Sequence, residues 1–204
     1  MNEIVILTKI GRISALETGK EMDPLVLGLH GWSQRNGRHI WEPLMEPLAD
    51  AGFHVVSVDM PGWGQSPSLS DRPIERNDAH NSILAILTAL GSEHDAVLMG
   101  KSWGGGLALD IALDFPQRVS KLILSAPAFS DFARLPALRQ PLLLAWAEDD
   151  PVIPIQFAVH YQSVPTLKNV TYATGGHNAA TKNAGEFAPV AVTFLQESSS
   201  LSAS

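Results

Sequence analysis

The chain has 204 residues, with 14 Lys and Arg against 21 Asp and Glu, so its formal net charge is −7. Hydrophobic residues make up 45% of it, which is enough for one sizeable core and excludes a disordered chain. The acidic balance argues against a nucleic-acid partner, since phosphate binding needs a basic patch, and the lack of cysteine excludes disulfides, thiolate catalysis and cysteine-ligated metals.

The two ends of the chain show no targeting signal. Glu3 places a carboxylate where a secretory signal is basic, and the apolar run after it has only four residues. No apolar run approaches the length of a membrane span. We therefore expect a cytoplasmic protein with no membrane span, a single domain over residues 1–196 and a disordered serine-rich tail over residues 197–204.

Apolar periodicity predicts a hairpin and then an alternation of strands and helices. The hairpin strands cover residues 4–8 and 12–17. The later strands cover residues 25–29, 54–58, 96–99, 121–125, 142–146 and 170–173. The helices cover residues 41–51, 77–90, 103–115, 155–162 and 185–196, with Asn77 as the cap of the second. This order predicts an α/β fold, with a mostly parallel eight-stranded sheet and helices on both faces.

Ligands of such a sheet bind at the carboxyl ends of its strands, and one strand end carries a candidate nucleophile. Residues 100–104 read Gly-Lys-Ser-Trp-Gly, between a predicted strand and a predicted helix. A sharp turn there strains Ser102, and Gly100 and Gly104 remove Cβ atoms that would clash. The helix N-terminus then offers amide groups to a developing oxyanion.

A phosphate-binding loop is the competing interpretation of the same residues. Gly100-Lys101-Ser102 also ends the pattern G-x-x-x-x-G-K-S, which needs a glycine five residues before Gly100. That position is Asp95, and residues 96–99 are typical of a strand instead of a glycine-rich loop. The phosphate-loop alternative is therefore disfavoured.

A serine nucleophile needs a base, and His177 follows the last predicted strand in a glycine-rich loop. His30 also ends a strand but comes too early in the chain. The other histidines are interpreted as surface or core residues: His39, His54, His80, His94 and His160. Three acids, Glu148, Asp149 and Asp150, follow the strand over residues 142–146. Alone they are typical of a solvated turn, but beside Ser102 and His177 they are candidates for the acid that orients the base.

The order serine, acid, histidine is that of the α/β-hydrolases, and the chain resembles this fold family over roughly residues 25–196. Residues 30–32, His-Gly-Trp, resemble its oxyanion loop. Residues 59–66 resemble its D-x-P-G-x-G-x-S loop, and residues 100–104 match its nucleophile elbow. Residues 150–154 and Gly176-His177 are similar to its acid and base loops.

The resemblance implies a role for particular residues. The family's acid commonly stands directly before one proline and four residues before another, which fits Asp150 with Pro151 and Pro154. Asp149 is one place off and is the second choice. The implied oxyanion donors are the backbone N–H groups of Trp32 and Trp103.

Two departures from the family pattern stand out. Lys101 replaces the histidine often found before the family's serine, and no chemistry is assigned to it. Many members insert a helical cap between the sixth and seventh strands. Here residues 126–141 leave room for at most a short helix, about residues 129–134, so the cap is expected to be absent or vestigial and the site open.

The resemblance thus implies a carboxylesterase-like serine hydrolase. It would cleave small acyl esters or thioesters through Ser102, His177 and Asp150 and an acyl-enzyme, with no metal or cofactor. The candidate substrate-pocket residues are His30, Gly31, Trp63 and Trp146, although Trp146 is equally typical of a core. The alternatives are a non-catalytic ligand- or protein-binding module, and carbon–carbon hydrolysis, perhydrolysis or a lyase reaction. The oligomeric state is not indicated.

Overall fold

An eight-stranded sheet forms the centre of the computed structural model, which describes residues 1–92 and 94–197. The strand order is β1-β2-β4-β3-β5-β6-β7-β8. The strands are β1 (Asn2–Thr8), β2 (Gly11–Thr18), β3 (Leu25–Leu29), β4 (His54–Val58), β5 (Ala96–Lys101), β6 (Val119–Ser125), β7 (Leu142–Ala147) and β8 (Leu167–Tyr172). β1 and β2 pair antiparallel, β2 pairs antiparallel with β4, and every other pair is parallel. The predicted α/β fold is confirmed.

Helices cover both faces of the sheet because alternate residues of the central strands point to opposite sides. Leu27 packs in one apolar cluster with α2 and α3, and Val26 packs in a second cluster with α1 and α5. The α-helices are α1 (Glu42–Asp50), α2 (Arg76–Ala89), α3 (Trp103–Asp114), α4 (Ala179–Lys182) and α5 (Ala184–Gln196). Short 3₁₀ helices cover Arg38–Trp41, Pro116–Arg118, Phe132–Ala137, Ile155–Ser163 and Gly176–Asn178.

Several predicted elements differ from the structure in their bounds or type. The last strand begins at Leu167 instead of residue 170, because it lies at the sheet edge and its first residues are partly or fully exposed. The predicted helix over residues 155–162 is a run of 3₁₀ turns, Ile155–Ser163. The second predicted helix begins at Arg76, so Asn77 lies inside it and Glu75 is the cap.

The link between β6 and β7 contains only one short helix, as the sequence predicts. That helix is the 3₁₀ segment Phe132–Ala137, three residues later than expected, with Pro136 inside it. Residues 126–141, all of them described, therefore hold no helical cap over the carboxyl edge of the sheet.

The predicted disordered tail lies outside the described residues except for Glu197. Within residues 1–92 and 94–197, no helix combines the length and the apolar character that crossing a membrane requires. The boundary of a single domain over residues 1–196 stays a prediction.

Candidate active site

Ser102 lies in a strained turn between β5 and α3. Its φ is 51° and its ψ is −119°, in a region that residues with side chains rarely adopt. Three backbone hydrogen bonds hold this conformation: the Ser102 N–H donates to the Ser125 carbonyl at 3.0 Å, and the Ser102 carbonyl accepts from Gly106 at 2.9 Å and from Ala128 at 2.8 Å. The surrounding chain thus fixes the position of the serine side chain.

The glycines on either side of Ser102 are required by close backbone contacts. A Cβ at Gly100 would lie 2.6 Å from the Gly104 carbonyl oxygen. A Cβ at Gly104 would lie 2.6 Å from the carbonyl oxygens of Leu29 and His30. Both clashes involve backbone, which cannot move aside, so the structure confirms the reason given for these two glycines.

Two backbone amides near the turn at Ser102 are the expected oxyanion donors. Trp103 is the first residue of α3, where helix amides lack an intrahelical partner, and Trp32 lies in the loop after β3. Neither N–H has an acceptor among the described residues. The Gly104 N–H donates to the His30 carbonyl at 3.1 Å, and a Cβ at Gly31 would lie 3.4 Å from the Ser102 Cβ. These contacts hold the loop against the turn.

His177 and Asp150 form a hydrogen-bonded pair at the carboxyl ends of β8 and β7. His177 Nδ1 lies 2.9 Å from Asp150 Oδ2. A carboxylate can only accept, so Nδ1 carries a hydrogen, and in the neutral ring Nε2 then has the lone pair. The Asp150 side chain is fully buried, and its Oδ1 accepts from Val152 at 2.8 Å and from Ile153 at 3.0 Å. The pair has the geometry of a base and its orienting acid.

Asp149 has a different position. It is exposed, and its Oδ1 accepts from the Gly176 N–H at 2.7 Å. It therefore holds the backbone of the histidine loop, while Asp150 contacts the ring. The structure brings the serine and the pair to one edge of the sheet, and no hydrogen bond joins Ser102 to His177 among the described residues.

His30 is fully buried, and both of its ring nitrogens are occupied. Its Nε2 accepts from the Met60 N–H at 3.0 Å, so Nδ1 carries the hydrogen and donates to the Gly31 carbonyl at 2.7 Å. Burial lowers the pKa of His30, and the bond to Gly31 and the charge of Asp59 oppose this only partly. His30 thus connects the loops after β3 and β4 and leaves no nitrogen for a substrate.

Three tryptophans pack together beside the turn at Ser102. The ring centroids of Trp32, Trp63 and Trp103 lie 5.0 to 5.1 Å apart. Trp63 is buried and its indole N–H donates to the Trp32 carbonyl at 3.0 Å. With Trp32 it also lines a cavity of about 450 Å³, so its place in a substrate pocket stays a prediction. Trp146 is fully buried in the core and donates to the Ile153 carbonyl at 2.9 Å, which places it outside the site.

Lys101 is buried, which is unusual for a lysine. Its Nζ lies 3.5 Å from Asn36 Oδ1, and burial lowers its pKa while the charge of Asp150 opposes the shift. In the sequence, only the position of Lys101 at the end of a buried strand indicates that its side chain is buried.

A groove runs along α3 from the tryptophans and was not foreseen from the sequence. We call it the α3 groove; its volume is about 290 Å³. Its lining residues are Trp32, Ile74, Arg76, Trp103, Gly106, Leu107, Asp110, Ala128, Phe129 and Ser130. Arg76 and Asp110 are 34 positions apart and belong to no sequence motif, so only the packing of α2 on α3 brings them together.

A family model described as alpha/beta hydrolase fold matches residues 24–136, more than half of the chain. The matched range includes Trp32 and Ser102 and ends before Asp150. Among solved structures, a predicted CIB-like hydrolase from Thermoplasma acidophilum superposes with a TM-score of 0.86 at 25% identity. That superposition covers 95% of this chain and 97% of the other.

Two curated relatives are similar to about half of the chain. A 2-hydroxy-6-oxononadienedioate/2-hydroxy-6-oxononatrienedioate hydrolase of Paraburkholderia phymatum is 37% identical over 122 residues, 55% of this chain and 39% of the relative. A pimeloyl-(acyl-carrier protein) methyl ester esterase of Vibrio parahaemolyticus is 38% identical over 109 residues, 52% of this chain and 39% of the relative. The match thus spans about two fifths of the length of either relative.

Proposed function

The chain belongs to the alpha/beta hydrolase fold family, and from this premise we propose that it is a serine hydrolase that cleaves small acyl esters or thioesters. The observation that carries the proposal is the contact between His177 Nδ1 and the buried carboxylate of Asp150. This contact leaves His177 Nε2 as a proton acceptor at the same sheet edge as the strained Ser102.

In the first half of the proposed reaction, the Ser102 oxygen attacks the acyl carbonyl carbon and its proton passes to His177 Nε2. The carbonyl oxygen becomes an oxyanion that accepts hydrogen bonds from the backbone N–H groups of Trp32 and Trp103. The tetrahedral intermediate then collapses: the bond to the alcohol or thiol breaks, and His177 returns the proton to that leaving group. The product on the protein is an acyl ester of Ser102.

In the second half, water attacks the acyl-enzyme and His177 takes one of its protons. The bond to the Ser102 oxygen breaks, the serine regains a proton from His177, and the carboxylic acid leaves. Asp150 stays ionised throughout and stabilises the imidazolium that forms in each half. Each oxyanion donor is worth about 3 kcal/mol in proteins that use this chemistry, so the two unpartnered amides are an important part of the proposal.

Carbon–carbon bond hydrolysis at the same residues is a second candidate, and the relatives supply the observation that favours it. The Paraburkholderia relative is named for a 2-hydroxy-6-oxo dioate, a compound whose name contains a ketone and no ester. Hydrolysis next to such a ketone breaks a carbon–carbon bond. The Vibrio relative, of similar identity, is named as an ester hydrolase, which favours the first candidate.

Turnover of two substrate types tests the proposal. We expect the protein to hydrolyse p-nitrophenyl butyrate, and Ser102→Ala to lower kcat/KM by about 10³-fold or more. A 2-hydroxy-6-oxodienoate, followed by loss of its absorbance, tests the second candidate in the same preparation. Hydrolysis of the ester that survives Ser102→Ala unchanged would refute the proposed nucleophile. Preference for the dienoate over every ester would replace the first candidate with the second.

A further inference from the structure

The floor of the α3 groove is one face of α3. Four of its lining residues, Trp103, Gly106, Leu107 and Asp110, occupy positions i, i+3, i+4 and i+7 and therefore share one side of the helix. A Cβ at Gly106 would collide with the Ala128 carbonyl oxygen, so the segment after β6 packs closely against this face. The groove is thus a built feature of the packing between α3 and the segment after β6.

The near end of the groove lies at the two tryptophans that carry the proposed oxyanion donors. Trp103 directly follows Ser102, and both Trp32 and Trp103 line the groove. Asp110 lies seven residues further along α3, so about 10 Å separate the two ends at the rise of an α-helix. The side chains of Ile74, Leu107 and Phe129 make the stretch between them apolar. These dimensions suit a short acyl chain that starts at Ser102.

The far end of the groove presents an arginine in a fixed orientation. Arg76 Nε donates to Asp110 Oδ2 at 2.8 Å, and Arg76 Nη2 donates to Asp110 Oδ1. The Asp110 carboxylate is buried, and His80 Nε2 lies 3.1 Å from its Oδ2. A paired guanidinium of this kind is held in one plane. Its side chain is nevertheless 57% exposed, and its Nη1 has no acceptor among the described residues.

The charges around Arg76 determine what kind of group it binds. Asp110 balances the arginine charge, and Asp114 and Asp131 are close enough to raise the pKa of Arg76 further, after the larger effect of the bond to Asp110. Asp114 pairs with Arg134. The far end is therefore not a strongly positive surface, and what it offers a ligand is the N–H groups of Nη1, which need an oxygen acceptor.

We propose that the α3 groove is the acyl subsite of this protein and selects a short chain that ends in an oxygen acceptor, which Arg76 Nη1 binds. This proposal rests on the proposed function, since it takes Ser102 as the start of the chain. A terminal carboxylate and a terminal amide share the required acceptor, and a terminal methyl group lacks it. Because Arg76 is 57% exposed and water can also bind Nη1, the preference for oxygen-ended chains should have the size of one charge-assisted hydrogen bond, about tenfold.

A matched substrate series tests the subsite. The p-nitrophenyl monoesters of succinate, glutarate, adipate and suberate are compared with their half-amides and with alkanoates of equal length. At one of these lengths, we expect kcat/KM for the oxygen-ended ester to exceed that for the alkanoate by about tenfold or more. If only the carboxylates are preferred, the ligand is an anion; if the half-amides are preferred too, it is any oxygen acceptor.

Variants of Arg76 show whether the preference arises in the groove. Arg76→Leu should bring the ratio of kcat/KM for the oxygen-ended ester to kcat/KM for the alkanoate near one. The double variant Arg76→Leu, Asp110→Asn should have the same effect. It guards against misfolding, because it does not leave a buried carboxylate without its arginine. Arg72→Leu is the matched control: Arg72 is an exposed arginine four positions earlier that pairs with Glu75, and its loss should leave the ratio unchanged. Because each ratio is measured within one protein, loss of folded material does not alter it.

Binding to Ser102→Ala separates this proposal from the proposed function. By titration calorimetry, the variant should bind monomethyl adipate more tightly than methyl hexanoate, and Arg76→Leu should remove the difference. Equal binding of the two, or a wild-type ratio near one across all lengths, would overturn the subsite while leaving the serine hydrolase standing. Absence of any turnover together with the expected binding difference would refute the hydrolase and keep the subsite.

Discussion

His177 Nδ1 lies 2.9 Å from Asp150 Oδ2, although the two residues are 27 positions apart. The contact exists because β7 and β8 are parallel neighbours, so their carboxyl ends open onto the same edge of the sheet. The amides of Val152 and Ile153 hold the other carboxylate oxygen, which fixes the acid before any substrate arrives. The proposed base thus has one tautomer and one orientation set by the fold.

Asp150→Asn should lower kcat/KM for an ester by a factor on the order of 10³ to 10⁴, because an amide in this place favours the wrong tautomer of His177. The measurement is steady-state kinetics on p-nitrophenyl butyrate. Asp149→Asn is the matched control: its amide oxygen can still accept from Gly176, so the loss should stay below about tenfold. A greater loss for Asp149→Asn would show that the acid is misassigned.

Gly104→Ala should destabilise the protein by about 1 to 3 kcal/mol and lower the proposed activity, because the new Cβ meets backbone carbonyls at 2.6 Å. Urea unfolding measures the change. Gly185→Ala is the opposite case, since nothing lies within 4 Å of its Cβ position in α5. It should raise the free energy of unfolding by about 0.5 to 1 kcal/mol. Equal effects of the two variants would contradict the close packing around Gly104.

The strands whose bounds were predicted most closely are those with a continuous apolar run. Strands such as Leu25–Leu29 and His54–Val58 are buried on both faces, so their composition alone marks them. The edge strand Leu167–Tyr172 is mostly solvated, and only its last residues show the pattern, which explains why it was predicted three residues too short at its start. Hydrophobic patterning therefore predicts the bounds of a strand poorly where the strand is exposed to solvent.

Within the candidate site, residues that follow a strand end were foreseen, and residues that depend on helix packing were not. Ser102, Asp150 and His177 each belong to a short motif at the end of a predicted strand. Arg76 and Asp110 meet only because α2 packs on α3, which no local pattern reveals. The burial of Trp146 and the two hydrogen bonds of the His30 ring likewise follow from tertiary contacts.

The free energy of unfolding should decrease as the pH falls below 6.5, the ordinary pKa of a histidine such as His30. Burial lowers the pKa of His30 in the folded protein, so over this window the unfolded chain binds a proton that the folded protein does not. The free energy of unfolding therefore rises with pH across the window and levels off above it. Urea unfolding at a series of pH values should show this slope in the wild type and a smaller one in His30→Gln. Equal slopes would mean that His30 titrates normally.

Lys121→Met should lower the free energy of unfolding by about 1 to 3 kcal/mol. Lys121 Nζ donates to the carbonyls of Phe194, Leu195 and Glu197 at 2.9, 2.8 and 2.6 Å, which satisfies acceptors at the end of α5 that have no helical partner. Lys168→Met is the matched control, because its ion pair with Glu197 is exposed and worth less than about 1 kcal/mol. Thermal or urea unfolding compares them. A smaller cost for Lys121→Met than for Lys168→Met would refute the capping role.

The proposal that Ser102 is an activated nucleophile is tested most directly by covalent labelling. The purified, folded protein is treated with a fluorophosphonate probe, digested, and the modified peptide is mapped by mass spectrometry, with Ser102→Ala as the control. We predict a single adduct on Ser102 in the wild type and none in Ser102→Ala. A folded wild-type protein that takes no label at Ser102 would contradict the assignment of Ser102 as the nucleophile.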